Sequence, residues 1–207
     1  LVTGAKGFIG QNLVAWLARV PDCEICAIDR SHTPGELESA LAKVDFVFHL
    51  AGVNRPDDEA EFRTGNAELT ARICQLLQER DQAVPVVLAS SIQALQENPY
   101  GISKREAEET VEAYSARSGA YAAIYRFKNV FGKWCRPNYN SVVATFCHNV
   151  AHSLPVSVSD PERSLQLIYI DDVVQQLLGE LECGREGNLL YREVKPVHEI
   201  SLGRLLD

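Results

Sequence analysis

An α/β fold built on a doubly wound parallel sheet is what this sequence predicts, on three observations. Short apolar runs alternate with helical patterns through the first 131 residues. The runs are nearly continuous in their apolar character, as expected for strands covered on both faces. The first run leads into a glycine-spaced turn, Gly4, Gly7 and Gly10, and then into an amphipathic stretch. Strands separated by helices imply right-handed crossovers, and hence helices on both sides of one parallel sheet.

The elements follow in order. Residues 1–3 read as the tail of a first strand. Residues 8–19 read as a helix with Ile9, Leu13, Trp16 and Leu17 on one stripe. Strands are expected at 24–29 and 45–50, a long helix at 59–80, a strand at 84–90, a helix at 100–117 and a strand at 121–126. After Gly132 the character changes, and KWCRPNYNS carries Trp, Tyr, Pro and two Asn with little periodicity. A helix is expected at 142–153, a loop at 155–161, a strand at 164–170 and a helix at 171–181. The stretch 188–207 is too short to assign. The result is a Rossmann-like sheet with a small C-terminal lobe. Residues 1–131 and 165–183 form the cofactor-binding part of one domain, and 132–164 with 184–207 form the substrate lobe.

Composition narrows the function. At 207 residues, 46% hydrophobic and 23% charged, the chain is globular with a full core. A net charge of -8 argues against nucleic acid or an anionic membrane as the main partner. No apolar run approaches the ~20 residues of a membrane span, and no secretory pattern opens the chain. A cytoplasmic location is expected. Six Cys are scattered. Cys23 and Cys26 are three apart on a strand-like run, so they point to opposite faces and read as reduced thiols near the core. The chain begins at Leu1 and holds no Met, so it is read as trimmed.

The glycine turn points to a dinucleotide. Glycines there permit a tight turn, close approach of backbone to a pyrophosphate and close helix–strand packing. The helix N-terminus behind them, at Phe8 and Ile9, offers free N–H groups to phosphate. Asp29 follows Gly10 by 19 positions, near the ~20 expected of a carboxylate on the adenosine ribose. Asp29 favours NAD(H), whereas Arg30 beside it is suited to the 2′-phosphate of NADP(H). The residues leave the choice open.

Tyr100 and Lys104 carry the chemistry. They lie four apart in NPYGISKREAEE, on one face of a helix. A free phenol titrates near ~10, and a neighbouring ammonium is expected to lower that value. Ser91 lies upstream as a second hydroxyl, with Ser90 as its competitor.

Together VTGAKGFIG, DFVFHLAG at a fourth core strand and turn, Asn66, LASSIQA, YGISK, YRFKNVFG and YIDDVV resemble the extended short-chain dehydrogenase/reductase family. The resemblance implies that Ser91 bonds a substrate carbonyl, that Tyr100 is the general acid/base, and that Lys104 binds the nicotinamide ribose. It implies that Leu50, Ala51 and Gly52 line the cofactor and that Asn129 meets the substrate. Sugar-nucleotide dehydratases of the family carry an acidic pair after the catalytic hydroxyl. Here Ile92 and Gln93 stand there, so elimination of water is not expected.

A narrower resemblance is carried by HLAGVNRP, SSIQALQENPYGISK and FGKWCRPNYNSVVATFC. These are similar to the N-terminal reductase domain of CapF-type enzymes of bacterial capsule and O-antigen synthesis. That resemblance implies NADPH-dependent reduction of the C4 ketone of a UDP-linked 4-keto-6-deoxy-N-acetylhexosamine, giving UDP-2-acetamido-2,6-dideoxy-talose on the route to UDP-N-acetylfucosamine. It also implies a C-terminal cupin, which this sequence does not reach, and NADP(H) over NAD(H). In the 132–140 stretch, Lys133 and Arg136 suit a diphosphate, Trp134 or Tyr139 a base or sugar, and Asn138 and Asn140 hydroxyls or amides. Arg163 is a further diphosphate candidate.

The rival within the fold is an NAD-dependent 4-epimerase, and a rival of another class is a non-catalytic nucleotide-binding regulator. His148 and His152 have zinc-compatible spacing but no third ligand, so no metal is expected. His49 reads as a packed residue beside the cofactor turn. A homodimer through the helices at 59–80 and 100–117 is expected by analogy with the family.

Overall fold

The computed structural model describes residues 1–80, 82–183 and 189–206, and of Cys183 the backbone alone. The part of the expected substrate lobe at 184–188, and residue 207, lie outside them. Five strands come in chain order as β1 (Val2–Thr3), β2 (Ala27–Ile28), β3 (Val47–His49), β4 (Val86–Ser91) and β5 (Ala122–Phe127). With β8 (Leu189–Arg192) they form one sheet of order β2-β1-β3-β4-β5-β8. Every neighbouring pair in it is parallel. The order reverses at β1, and ligands bind such sheets in the crevice at the carboxyl ends beside that reversal.

Alternation along each strand divides the core into two faces. Val86 and Leu88 of β4, with Ala122 and Ile124 of β5, pack with Leu37 and Leu41 of α2 (Pro34–Leu41) and Ile73 and Leu77 of α4 (Leu69–Gln78). Val111 and Tyr114 of α5 (Pro99–Ser118) complete this side. Val87, Ala123, Tyr125 and Phe127 face the other way, onto Leu13 and Leu17 of α1 (Phe8–Leu17) and Val173, Val174 and Leu177 of α7 (Ile170–Cys183). The two-faced burial expected of the strands is therefore met. Cys26 packs against the first cluster and Cys23 against the second, and both are free thiols, as their spacing predicts.

Three differences from the sequence reading have local causes. DFVFHLAG lies on the third strand of the chain, not a fourth, because α2 leads to β3 through the short link 42–46. α2 itself was not anticipated. Its start is written in Thr33-Pro34-Gly35-Glu36, a capping box with Pro in the first turn. The helix expected at 59–80 is divided into α3 (Ala60–Phe62), a wide π-helical turn (Arg63–Glu68) and α4. Gly65 lies in that turn against Val53, where a Cβ would overlap the valine side chain. Such wide turns concentrate at functional sites.

A second, three-stranded sheet carries the remainder. β6 (Asn129–Phe131) pairs parallel with β7 (Ser164–Tyr169), and β7 pairs antiparallel with β9 (His198–Ser201). β7, expected with the cofactor-binding part, thus lies in the small sheet, while α7 after it returns to pack on α1. α6 (Val142–Ala151), capped by Ser141, and α8 (Leu202–Leu206) complete the order. Among the described residues no helix is long and apolar enough to cross a membrane.

Two buried carboxylates tie the layers together. Glu180 of α7 is 3% exposed and accepts from the hydroxyls of Tyr121 and Tyr125 and from Arg192 of β8. Glu108 of α5 is 1% exposed and accepts from Ser90 of β4, and Arg126 of β5 binds both of its oxygens.

Candidate active site

The crevice beside β1 begins with the glycine turn. Gly4 has φ +67°, and a Cβ there would lie 2.7 Å from the Ala51 nitrogen. A Cβ on Gly10 would overlap the Gly4 carbonyl oxygen. The turn is therefore pressed against the end of β3, and side chains at either position would open it. Gly7 caps α1 without a side chain, and no acidic residue occupies the first turn. The N–H groups of Phe8, Ile9 and Gly10 are left for a ligand, at the positive end of the helix dipole.

Asp29 stands just past the end of β2. Its carboxylate is 2.8 Å from the Lys6 ammonium and accepts from the Ser31 backbone (2.8 Å) and hydroxyl (2.7 Å). These bonds hold the carboxyl well below its ordinary range. Arg30 beside it is exposed, with no carboxylate partner among the described residues.

A hydrogen-bonded chain links this turn to the catalytic helix. The Ala51 N–H donates to Thr3 Oγ1 (3.2 Å), which meets His49 Nδ1 (2.7 Å). His49 Nε2 meets Thr70 Oγ1 (2.9 Å), and the Thr70 hydroxyl donates to the Asn66 carbonyl (2.6 Å). The Asn66 side chain then clamps both backbone groups of Val53 and donates to Ser103 of α5 (3.0 Å). Since the Thr70 proton is committed, Nε2 carries the hydrogen and the imidazole is neutral.

His49 has a consequence for acid stability. Burial pushes its pKa down to about 3 from 6.5, and the Lys104 charge adds to the shift. Between those values the unfolded chain binds a proton that the folded protein refuses. The contribution is fully present above about pH 6.5 and is lost as pH falls toward 3, by at most roughly 1.4 kcal/mol per pH unit. Urea midpoints between pH 7 and pH 5 are expected to fall more steeply in the natural protein than in His49→Gln. Equal slopes would remove His49 from the account.

α5 is positioned by its N-terminus. Asn98 caps it by accepting from the Gly101 N–H (2.8 Å), with Pro99 opening the helix. Gly101 allows the helix to rest on the 3-10 turn Ile92–Leu95, since a Cβ would overlap the Gln93 carbonyl oxygen. Tyr100 thereby sits beside the end of β4, its ring 5.6 Å from that of Phe62, and near enough to Ser91 for that hydroxyl to lower its pKa. Ser91 Oγ accepts from the Gln93 N–H. Ser90 points the other way, donating to Glu108, which separates the two hydroxyls.

Lys104 corrects one expectation. The residue is 4% exposed and its ammonium donates to the Ala89 carbonyl (2.6 Å). A Cβ on Gly52 would lie 3.6 Å from it. Burial lowers its pKa to about 8, with Glu108 opposing. The Tyr100 phenol lies above its ordinary value, not below. Burial raises it, the Ser91 hydroxyl lowers it, and Tyr139 raises it further. The ammonium is directed to the β4 backbone, so desolvation governs the phenol. Tyr100 is a neutral acid at neutral pH.

The remaining candidates are spread more widely. The loop after β6 is held over α1 by Asn12, which donates to the Lys133 carbonyl (3.0 Å). Lys133 is engaged, its ammonium 2.8 Å from Asp171. Asn129 donates to the Gln166 carbonyl across the small sheet. Trp134 and Asn138 have φ +64° and +56°, and the Asn138 N–H donates to Thr145. Asn140 is exposed. Arg163 precedes β7 and Asp171 follows it, so a strand's length of roughly 20 Å separates that arginine from Lys133's partner. The rings of His148 and His152 lie 4.2 Å apart, tilted by 34°, and among the described residues no group of three or more His, Cys, Asp or Glu is placed to hold a metal.

Two residues the sequence reading did not single out join the site. The Tyr139 hydroxyl donates to Asn54 (2.8 Å), and Arg55 lies over the Tyr139 ring at 5.5 Å from its centre. Their signal was the VNRP run directly after the β3 turn.

Residues 1–188 match a family described as the NAD dependent epimerase/dehydratase family. The chain is 44% identical over its whole length to the UDP-2-acetamido-2,6-beta-L-arabino-hexul-4-ose reductase of Pseudomonas aeruginosa, covering 55% of that protein. It is 40% identical to the capsular polysaccharide assembling protein CapF from Staphylococcus aureus, with a TM-score of 0.86 over 99% of this chain and 55% of that one. MoeE5, solved with UDP-glucose and NAD, is 25% identical with a TM-score of 0.84, over 99% of this chain and 78% of that one. The chain thus spans about half the length of the first two relatives.

Proposed function

The chain belongs to the NAD dependent epimerase/dehydratase family, and from that premise we propose that it reduces the C4 ketone of a UDP-linked 4-keto-6-deoxy-N-acetylhexosamine. The observation that carries this is the placement of Tyr100 in the first turn of α5 beside Ser91 at the end of β4, with the phenol held protonated by burial. Two hydroxyls so placed can both donate to one substrate oxygen. The absence of an acid or base at Ile92 and Gln93 gives no means of eliminating water. The reductase from Pseudomonas aeruginosa and CapF supply the sugar class.

The residues present fit a nicotinamide dinucleotide. Gly4, Gly10 and Gly52 let the turn, the end of β3 and the Asn66 side chain pack closely with no side chain between them, and the open first turn of α1 suits a pyrophosphate. When bound, that cofactor supplies the hydride for the carbonyl carbon. Tyr100 gives its proton to the carbonyl oxygen as negative charge develops there, and Ser91 steadies the same oxygen by a hydrogen bond. The phenolate left behind regains its proton from solvent. Tyr100 and Lys104 also suit the nicotinamide ribose.

NADP(H) is the preferred cofactor in this reading. Asp29 is already occupied by Lys6 and Ser31, while Lys6 and Arg30 place two cations beside the end of β2. A 2′-phosphate suits that arrangement. The protein works in the cytoplasm as a homodimer, in bacterial surface polysaccharide synthesis. The six-stranded sheet and the turns at its carboxyl ends hold the cofactor, and the loop after β6 with the small sheet holds the sugar nucleotide.

The test follows absorbance at 340 nm with the UDP-4-keto sugar and NADPH or NADH separately. Faster loss with NADPH is expected. Sugar interconversion with neither cofactor consumed would make the protein an epimerase instead.

A further inference from the structure

Two cations meet on one aromatic ring, that of Tyr139 in the loop after β6. Arg55 and Arg136 lie 5.5 and 5.7 Å from the centre of the Tyr139 ring. They come from distant parts of the chain, Arg55 from the segment after β3 and Arg136 from the loop after β6. Neither is paired with a carboxylate among the described residues. The nearby acidic run is used otherwise: Asp58 accepts from the Ala60 N–H at the start of α3, and Glu61 accepts from the Asp58 N–H. Like charges brought to one ring repel unless an anion joins them.

Their location sets what that anion is. Tyr139 is close enough to the Tyr100 phenol to raise its pKa, and its hydroxyl is tied to Asn54, two residues past Gly52. The pair is therefore mounted where the loop after β6 meets the segment that follows Gly52, on the Tyr100 side of the crevice. A sugar held at Tyr100 by its ring would carry its anionic linkage toward this pair. Guanidinium forks bind phosphate oxygens in two-point fashion, and stacking on an aromatic ring holds them in place.

We propose that Arg55 and Arg136, mounted on Tyr139, are the diphosphate clasp for the nucleotide sugar. The Asn54–Tyr139 hydrogen bond locks the loop after β6 onto the β3 turn, so the clasp and the cofactor crevice are fixed relative to each other. The assignment rests on the nucleotide-sugar reading above. It gives Lys133, already paired with Asp171, a structural part.

The test is calorimetric titration of the protein with UDP, UMP and uridine, together with steady-state kinetics on the UDP-4-keto sugar. In the natural protein UDP is expected to bind more tightly than UMP, and UMP more tightly than uridine. Arg55→Gln and Arg136→Gln are each expected to weaken UDP by ~10- to 100-fold, the range for losing a hydrogen bond to a charged group. Uridine affinity should stay within twofold. The loss should fall mainly on KM, with kcat largely kept. Tyr139→Leu, which removes the mount but neither cation, should weaken UDP as well. Unchanged thermal melting would show that these exposed substitutions do not act through folding. If the natural protein binds UDP but both arginine variants bind it equally well, the clasp is wrong and the substrate reading stands. If the natural protein binds UDP no better than uridine, both fall.

Discussion

Replacing Tyr100 by Phe is expected to lower kcat by ~10²- to 10⁴-fold, the range for removing a general acid. Cofactor affinity should stay within a few-fold. The substitution removes one O–H and little else. The ring keeps its packing on Phe62, and the cap that places the helix, Asn98 on the Gly101 N–H, is untouched. Ser91 remains to steady the substrate oxygen but, as an alkyl hydroxyl, is a far weaker acid than a phenol. Initial rates with NADPH and the UDP-4-keto sugar, beside fluorescence titration of NADPH, separate chemistry from binding. Turnover within tenfold of the natural protein would mean that the proton comes from elsewhere.

The second large effect centres on Glu108, about two turns further along the same helix. Arg126→Met leaves Glu108, 1% exposed, without the guanidinium that binds both its oxygens. Breaking a buried pair by removing one partner typically costs about 3–5 kcal/mol. The low end is expected, because the arginine is 29% exposed and water can partly replace it. In a chain of this length each kcal/mol lowers Tm by ~2–4 °C, so a fall on the order of 10 °C should be seen by calorimetry. Adding Glu108→Gln should recover part of it, because the uncompensated charge is then gone. No recovery in the double variant would assign the loss to the packing of Arg126 on Tyr191. Catalysis should weaken too, since Glu108 holds Ser90 beside Ser91 and supports the Lys104 charge.

Much of this arrangement is readable without coordinates, and the reasons differ by element. Val86–Ser91 and Ala122–Phe127 are legible because both of their faces are buried, which leaves unbroken apolar runs. The glycine turn is legible because the close approaches at Gly4 and Gly10 each forbid a Cβ. β6 and β9 are not, since strands of three and four residues carry no period worth reading. The break in the helix after Phe62 escapes because the Gly65-Asn66 pair is ordinary in a helix, and only contact with Val53 makes it matter. The direction of the Tyr100 shift was misjudged for a similar reason. Spacing puts Lys104 on the same face, but only the fold shows its ammonium turned to Ala89. Arg55 lies outside any periodic element, so its partnership with Tyr139 depends on a loop more than 80 residues away.

The central claim is that Tyr100 and Ser91 deliver a proton to a sugar ketone in step with a hydride that is not returned. Reaction of the UDP-4-keto sugar with NADPH deuterated at the transferring position tests it most directly. The account predicts one deuterium at C4 of the product for each NADPH consumed. Product that carries no deuterium, formed while the NADPH remains intact, would contradict it.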